Sequence, residues 1–159
     1  MKILASPEKK ILDACCGSRM FWFQEHQENT LFTDIREEEF DIYDAHVSVQ
    51  PDLISDFRDM PFEDESFYMV VFDPPHLKWA GPKSIMKAKY GELNKDWPDD
   101  LRNGFSECMR VLKENGTLIF KWSDSQVPVK EVLNCTEYKP LFGNRRGHTH
   151  WLVFMKGIS

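Results

Sequence analysis

The strongest hydrophobic signal in the chain is the unbroken run Phe67-Tyr68-Met69-Val70-Val71-Phe72, which reads as a strand covered on both faces and runs into Asp73-Pro74-Pro75-His76. Shorter apolar segments at residues 10–16, 30–34, 52–56 and 117–122 predict further strands, and those at 30–34 and 52–56 each finish on an aspartate. Leu101, Phe105, Met109 and Leu112 recur at helical spacing across residues 99–113, with Asn115-Gly116 as the stop. A helix is also expected to open within residues 18–26, and a short one at 129–133 after Pro128. Residues 138–142 and 150–155 predict two strands joined as a hairpin across Gly143 to Gly147. Strands alternating with helices, with chemistry-bearing residues at strand ends, indicate an open, mostly parallel α/β sheet whose ligands lie beyond the carboxyl edges of its strands. Residues 77–98 form the one long irregular stretch, the kind that serves as a lid or binding loop.

With 159 residues the chain suits one domain, and 42% apolar content with 12 Phe and 5 Trp supplies a core that a disordered chain lacks. The longest apolar runs fall far short of the roughly 18 residues of a membrane span. The first ten residues are too polar for a signal peptide, so no membrane contact and a cytoplasmic location are expected. Cys15, Cys16, Cys108 and Cys135 form no CxxC pair, which points to reduced, buried thiols rather than disulfides or a zinc ribbon. His148 and His150 share one strand face without a partnered cysteine or carboxylate cluster, so no metal is expected. The net charge of −6 is unevenly spread: residues 25–65 hold 14 Asp and Glu against Arg36 and Arg58, leaving +6 on the remainder. A basic remainder can face a polyanion even though the whole chain is acidic.

The first turn, Asp13-Ala14-Cys15-Cys16-Gly17-Ser18-Arg19-Met20-Phe21, resembles the first-strand loop of the S-adenosylmethionine-dependent amino-group methyltransferases, commonly Asp-Pro-x-Cys-Gly-Ser-Gly-x-Phe. Ala14 stands in place of the Pro and Arg19 in place of a Gly, where a left-handed backbone costs a side-chain-bearing residue more. A small-residue turn lets main-chain amides approach a ligand, and a helix N-terminus after it would favour a carboxylate, to which Arg19 could add an ion pair. The GxGxxG of dinucleotide-binding proteins is absent, which demotes a nicotinamide cofactor. The resemblance covers nearly the whole chain. It implies a single three-layer Rossmann-like domain over residues 1–159, with a seven-stranded, mostly parallel sheet ending in an antiparallel hairpin. It also implies S-adenosylmethionine held by Asp13, Cys15, Cys16, Gly17, Ser18, Arg19, Asp34, Asp56 and Phe57. Asp34 would accept the ribose hydroxyls, Asp56 the adenine amino group, and Phe57 would pack on the purine.

Asp73-Pro74-Pro75-His76 is similar to the Asn/Asp/Ser-Pro-Pro-aromatic motif of enzymes that methylate amine nitrogens conjugated with a ring or carbonyl. Such a nitrogen is a poor nucleophile because its lone pair is delocalised. Acceptors for its two N–H bonds, here the Asp73 carboxylate and the Pro74 carbonyl stiffened by Pro75, would turn the lone pair toward the methyl donor. His76 stands where the family has the ring that stacks on the target base. Lys78, Lys83, Lys87, Lys89 and Lys95, interleaved with Trp79, Tyr90 and Trp97, form a strip suited to a phosphate backbone and unstacked bases, or else a solvated loop whose aromatics pack on the domain. Arg145, Arg146 and His148 extend this basic rim or simply solubilise the turn. The expected activity is methylation of a nucleobase exocyclic amine in DNA or RNA, adenine N6 ahead of cytosine N4 and guanine N2, with a duplex base flipped out first. Cytosine C5 chemistry is disfavoured because no Cys lies between Cys16 and Cys108. A protein glutamine amide or a small-molecule amine is the alternative acceptor, and an inactive methyltransferase-like binding subunit the alternative from another class. Target recognition falls to residues 77–98 or to a protein partner.

Overall fold

The computed structural model describes residues 1–78, 81, 84 and 92–158. In chain order the elements are β1 (Ile11–Asp13), β2 (Thr30–Asp34), β3 (Glu38–Ile42), β4 (Ala45–Val49), β5 (Leu53–Ile54), β6 (Phe67–Phe72), α1 (Trp97–Val111), β7 (Leu112–Ser123), α2 (Val129–Leu133), β8 (Phe142–Arg146) and β9 (Thr149–Met155). Seven strands form one sheet in the order β5-β2-β1-β6-β7-β9-β8, while β3 and β4 pair as a separate hairpin. β5, β2, β1, β6 and β7 run parallel, β9 runs antiparallel to β7, and β8 antiparallel to β9. This is the expected Rossmann-like sheet with its C-terminal hairpin. The chain leaves β1 toward one sheet edge and β6 toward the other, so the crevice that such a reversal opens lies beyond the carboxyl ends of β1 and β6.

Leu12, Val70 and Leu118 are register neighbours across β1, β6 and β7, all fully buried. On that face α1 lays down Leu101, Phe105, Cys108 and Met109, and Phe105 packs on Phe72, Phe120 and Phe154. Each such ring contributes about 1.5–3 kcal/mol by leaving water. Pro98 sits in the first turn of α1, Asp99 and Asp100 follow at its positive end, and Arg110 lies in its last turn, all favourable placements. The helix ends at Val111, earlier than Asn115-Gly116 suggests, because Leu112 turns extended and joins β7. Asn115 takes a left-handed φ of 65° within the irregularity that separates the two stretches of β6–β7 pairing.

The opposite face departs from expectation. Residues 18–26 form turns, not a helix. Met20, Phe21, Trp22 and Phe23 are consecutive, so a helix would spread them over all its faces. As turns they place Phe21 edge-on to Trp151 of β9 and Trp22 edge-on to Phe32 of β2, which makes the third layer from aromatic turns. The first hairpin strand is also displaced, from the expected 138–142 to β8 at 142–146. Pro140 has no N–H for a ladder, and the hairpin turns tightly at Gly147-His148. No described helix is long and apolar enough to cross a membrane.

Candidate functional site

β1 ends on Asp13, β2 on Asp34, β5 is followed by Ser55-Asp56, and β6 by Asp73, so four carboxylates gather at one edge of the sheet. Gly17 bends the first turn with a φ of 50°, which brings its N–H to within 2.9 Å of Asp34 Oδ2. The Arg36 N–H donates to Asp34 Oδ1 at 3.0 Å, and the Arg58 N–H donates to Asp56 Oδ1 at 2.9 Å. Asp34-Ile35-Arg36 and Asp56-Phe57-Arg58 are thus the same turn built twice. In the second, the Arg58 guanidinium also grips Asp56 at 2.6–3.1 Å and holds its carboxyl below the usual range.

These turns wall a cleft of about 260 Å³ together with Ala14, Cys15, Gly17, Asp73, Pro75 and Leu93. Five carboxylates, those of Asp34, Asp56, Asp73, Glu92 and Asp100, line it against the guanidinium groups of Arg36 and Arg58. The cleft therefore favours a cation, with carboxylates placed for hydroxyl and amino donors and with Ile35 and Phe57 as apolar surfaces for a flat ring. Ser55 Oγ, buried in the same wall, has no hydrogen-bond partner among the described residues.

Of the residues singled out from sequence, the structure brings Cys15, Gly17, Asp34, Asp56, Phe57, Asp73 and Pro75 around the cleft. Asp13, Cys16, Ser18, Arg19, Pro74 and His76 are not among its lining residues. Arg19 does adopt the left-handed conformation, with φ 58°, but its side chain is used internally. The guanidinium stacks 3.9 Å above the Phe32 ring and donates to the carbonyls of Glu25 and Gln50 and to Asp52, so it is engaged within the chain. The helix dipole expected there is missing with the helix. Burial pushes the Cys16 thiol up to about 12 and the Cys15 thiol well above its usual value, leaving both neutral.

Asp13 is a buried acid behind the site. Trp22 Nε1–H donates to its Oδ2 at 2.7 Å, yet burial, with the Asp73 charge adding to it, raises its pKa to about 7. Asp73, 4% exposed, is raised to about 6 by burial against the opposing pull of Lys121 Nζ at 3.3 Å. His76 is 3% exposed with its ring edge-on to Trp122, and burial and the Lys121 charge lower it to about 4. The ring expected to stack on a substrate base is thus turned into the core.

Lys78 donates its N–H to Gln126 Oε1 and holds its ammonium 5.8 Å from the Trp97 ring, while Trp97 packs against the core. Trp79, Lys83, Lys87, Lys89 and Tyr90 lie outside the described residues. At the hairpin tip His148, His150 and Arg145 all converge on Asp124, an anchor that sequence spacing did not single out. Arg36, Arg58 and Ser55 were missed as well, although the repeated Asp-x-Arg ending of two strands is a readable signal for the two arginines.

No protein-family model and no curated protein matches the sequence. Among solved structures the chain is similar to the PH0226 protein of Pyrococcus horikoshii OT3, at 17% identity over 92% of this chain and 81% of that one, with a TM-score of 0.63. It is similar to an S-adenosylmethionine-dependent methyltransferase of Methanosarcina mazei at 13% identity, over 94% and 92% of the two chains, TM-score 0.56. A TehB-like S-adenosylmethionine-dependent methyltransferase of Corynebacterium glutamicum gives 16%, 96%, 82% and 0.55 for the same quantities. At these identities the likeness is one of fold.

Proposed function

We propose that the chain is an S-adenosylmethionine-dependent N-methyltransferase whose acceptor is a nucleobase exocyclic amine, adenine N6 first. The observation that carries this reading is the placement of Asp73, buried at the carboxyl end of the central strand, in the same cleft as Asp34, Asp56 and Phe57. When bound, the cofactor supplies an electrophilic methyl group on a sulfonium centre. Asp34 accepts its ribose hydroxyls, Asp56 its purine amino group, Phe57 packs on the ring, and Ser55 Oγ gains the partner it lacks. The acidic lining favours the sulfonium charge. Asp73 accepts one N–H of the acceptor amine, orients the nitrogen lone pair and takes the proton released as the nitrogen is alkylated. Target recognition is assigned to residues 77–98, the Arg145-Arg146 tip or a protein partner.

Two measurements test this. Calorimetry should show S-adenosylmethionine binding, weakened in Asp34→Ala by about 1.5–3 kcal/mol, the value of a charge-assisted hydrogen bond. Radiolabelled methyl transfer onto DNA, RNA and protein pools should label nucleic acid with the wild-type chain and not with Asp73→Ala. Label confined to protein would turn the reading to a glutamine amide, and binding without transfer to a binding subunit.

A further inference from the structure

We propose that Lys121 is a positioning residue for the methyl acceptor: as a fixed counter-ion it holds one oxygen of Asp73 and leaves the other turned to the acceptor amine. This rests on the methyltransferase reading above.

Lys121 follows Phe120, the register partner of Phe72, and so stands beside Asp73 at the carboxyl edge of the neighbouring strand. Strand alternation puts it on the face opposite Phe120, toward the aromatic turns. Its ammonium is 3.3 Å from Asp73 Oδ2, 5.5 Å from the Phe21 ring centroid and 5.9 Å from that of Trp151, its register partner in β9. Phe21 and Trp151 meet edge to face at 5.2 Å. The cation is therefore fixed by the first-turn segment, by β9 and by Asp73 together, and two ring faces reinforce its charge.

A buried carboxylate with no counter-ion takes up a proton, and a protonated Asp73 would present a donor where the amine needs an acceptor. Among the described residues, the ionisable groups near Asp73 are Asp13 of β1, the Cys15 thiol just after it, Asp34 of β2 in the same cleft, His76 just beyond β6, and Lys121 of β7. Asp13 and Asp73 oppose each other's ionisation, and the Cys15 thiol and His76 are neutral near pH 7. Lys121 is the cation of this set, so the acceptor state of Asp73 depends on it.

The test needs no knowledge of the acceptor. In protein labelled with ¹³C at Asp Cγ, the Asp73 signal is the one lost in Asp73→Asn. It should titrate near pH 6 in the wild type, about one pH unit or more higher in both Lys121→Met and Lys121→Gln, and close to the wild-type value in Lys121→Arg. S-adenosylmethionine affinity should change less than twofold in all three, and this binding also reports that each variant is folded. An Asp73 titration unmoved in folded Lys121→Met or Lys121→Gln would overturn the proposal. A shifted titration with no methyl transfer from any chain would leave the ion-pair role standing and sink the methyltransferase reading instead.

Discussion

At the scale of single residues, the role proposed for Asp73 makes the chemistry depend on pH. Its carboxylate accepts an N–H only when ionised, and burial has raised its pKa to about 6. The methyl-transfer rate should therefore fall as pH drops through 6, about tenfold per unit below it, and level off above. His76 is neutral across that window and cannot supply the limb. Asp13, at about 7, stands outside the cleft lining, so Asp13→Asn should leave the limb in place. A rate that is flat from pH 5 to 8 would remove Asp73 from the role of proton acceptor. The placement of Asp73 and Pro75 at the cleft was legible because a carboxylate after a strongly apolar strand has few places to go. The orientation of His76 was not legible, since Trp122, 46 positions away, decides it.

At the scale of elements, Gly104 of α1 shapes the cleft without lining it itself. A glycine inside a helix costs about 1 kcal/mol relative to alanine, so its presence needs a packing reason. A Cβ at this position would lie 2.6 Å from Phe72 Cζ and 2.7 Å from Phe57 Cδ2. Gly104→Ala should therefore lose more from overpacking, about 1–3 kcal/mol, than it gains in helix propensity. It should also weaken S-adenosylmethionine binding by displacing Phe57, and a thermal melt beside calorimetry reads both effects. Unchanged binding would mean that Phe57 does not pack on the ligand.

The core face of α1 was readable from its 3.6-residue spacing, and β6 from its continuous apolar run. The β3–β4 hairpin was not, although Phe40 and Ile42 alternate before it turns and Val47 and Val49 after. The surrounding charge of this segment resembled a solvated loop. The first turn was legible as a turn bordering the cleft and illegible in its continuation. Four adjacent aromatic or thioether side chains carry no period, and partners on β2 and β9 fix where they go.

At the scale of the whole molecule, the protons held behind the cleft couple stability to pH. Asp13 is raised from an ordinary value near 4 to about 7, and Asp73 to about 6, so the folded chain keeps protons that the unfolded chain releases. Their contribution is complete below about pH 4 and is lost as pH rises through the folded values. His76 works the other way between about 4 and 6.5, because the unfolded chain protonates it first. With two of these groups against one, their net contribution should fall from pH 4 to 6, and above 6.5 Asp13 continues the fall until about 7, joined by His46, which its hydrogen bonds to Asp41 and Glu39 hold above its ordinary value. Asp13→Asn isolates the effect: the amide oxygen still accepts the Trp22 Nε1–H, but there is no charge left to bury. Denaturant melts at pH 5 and 8 should show the wild type losing stability relative to Asp13→Asn as pH rises. Equal pH slopes for the two chains would mean that Asp13 titrates at its ordinary value in the folded state, and that the acid behind the cleft is hydrated rather than buried.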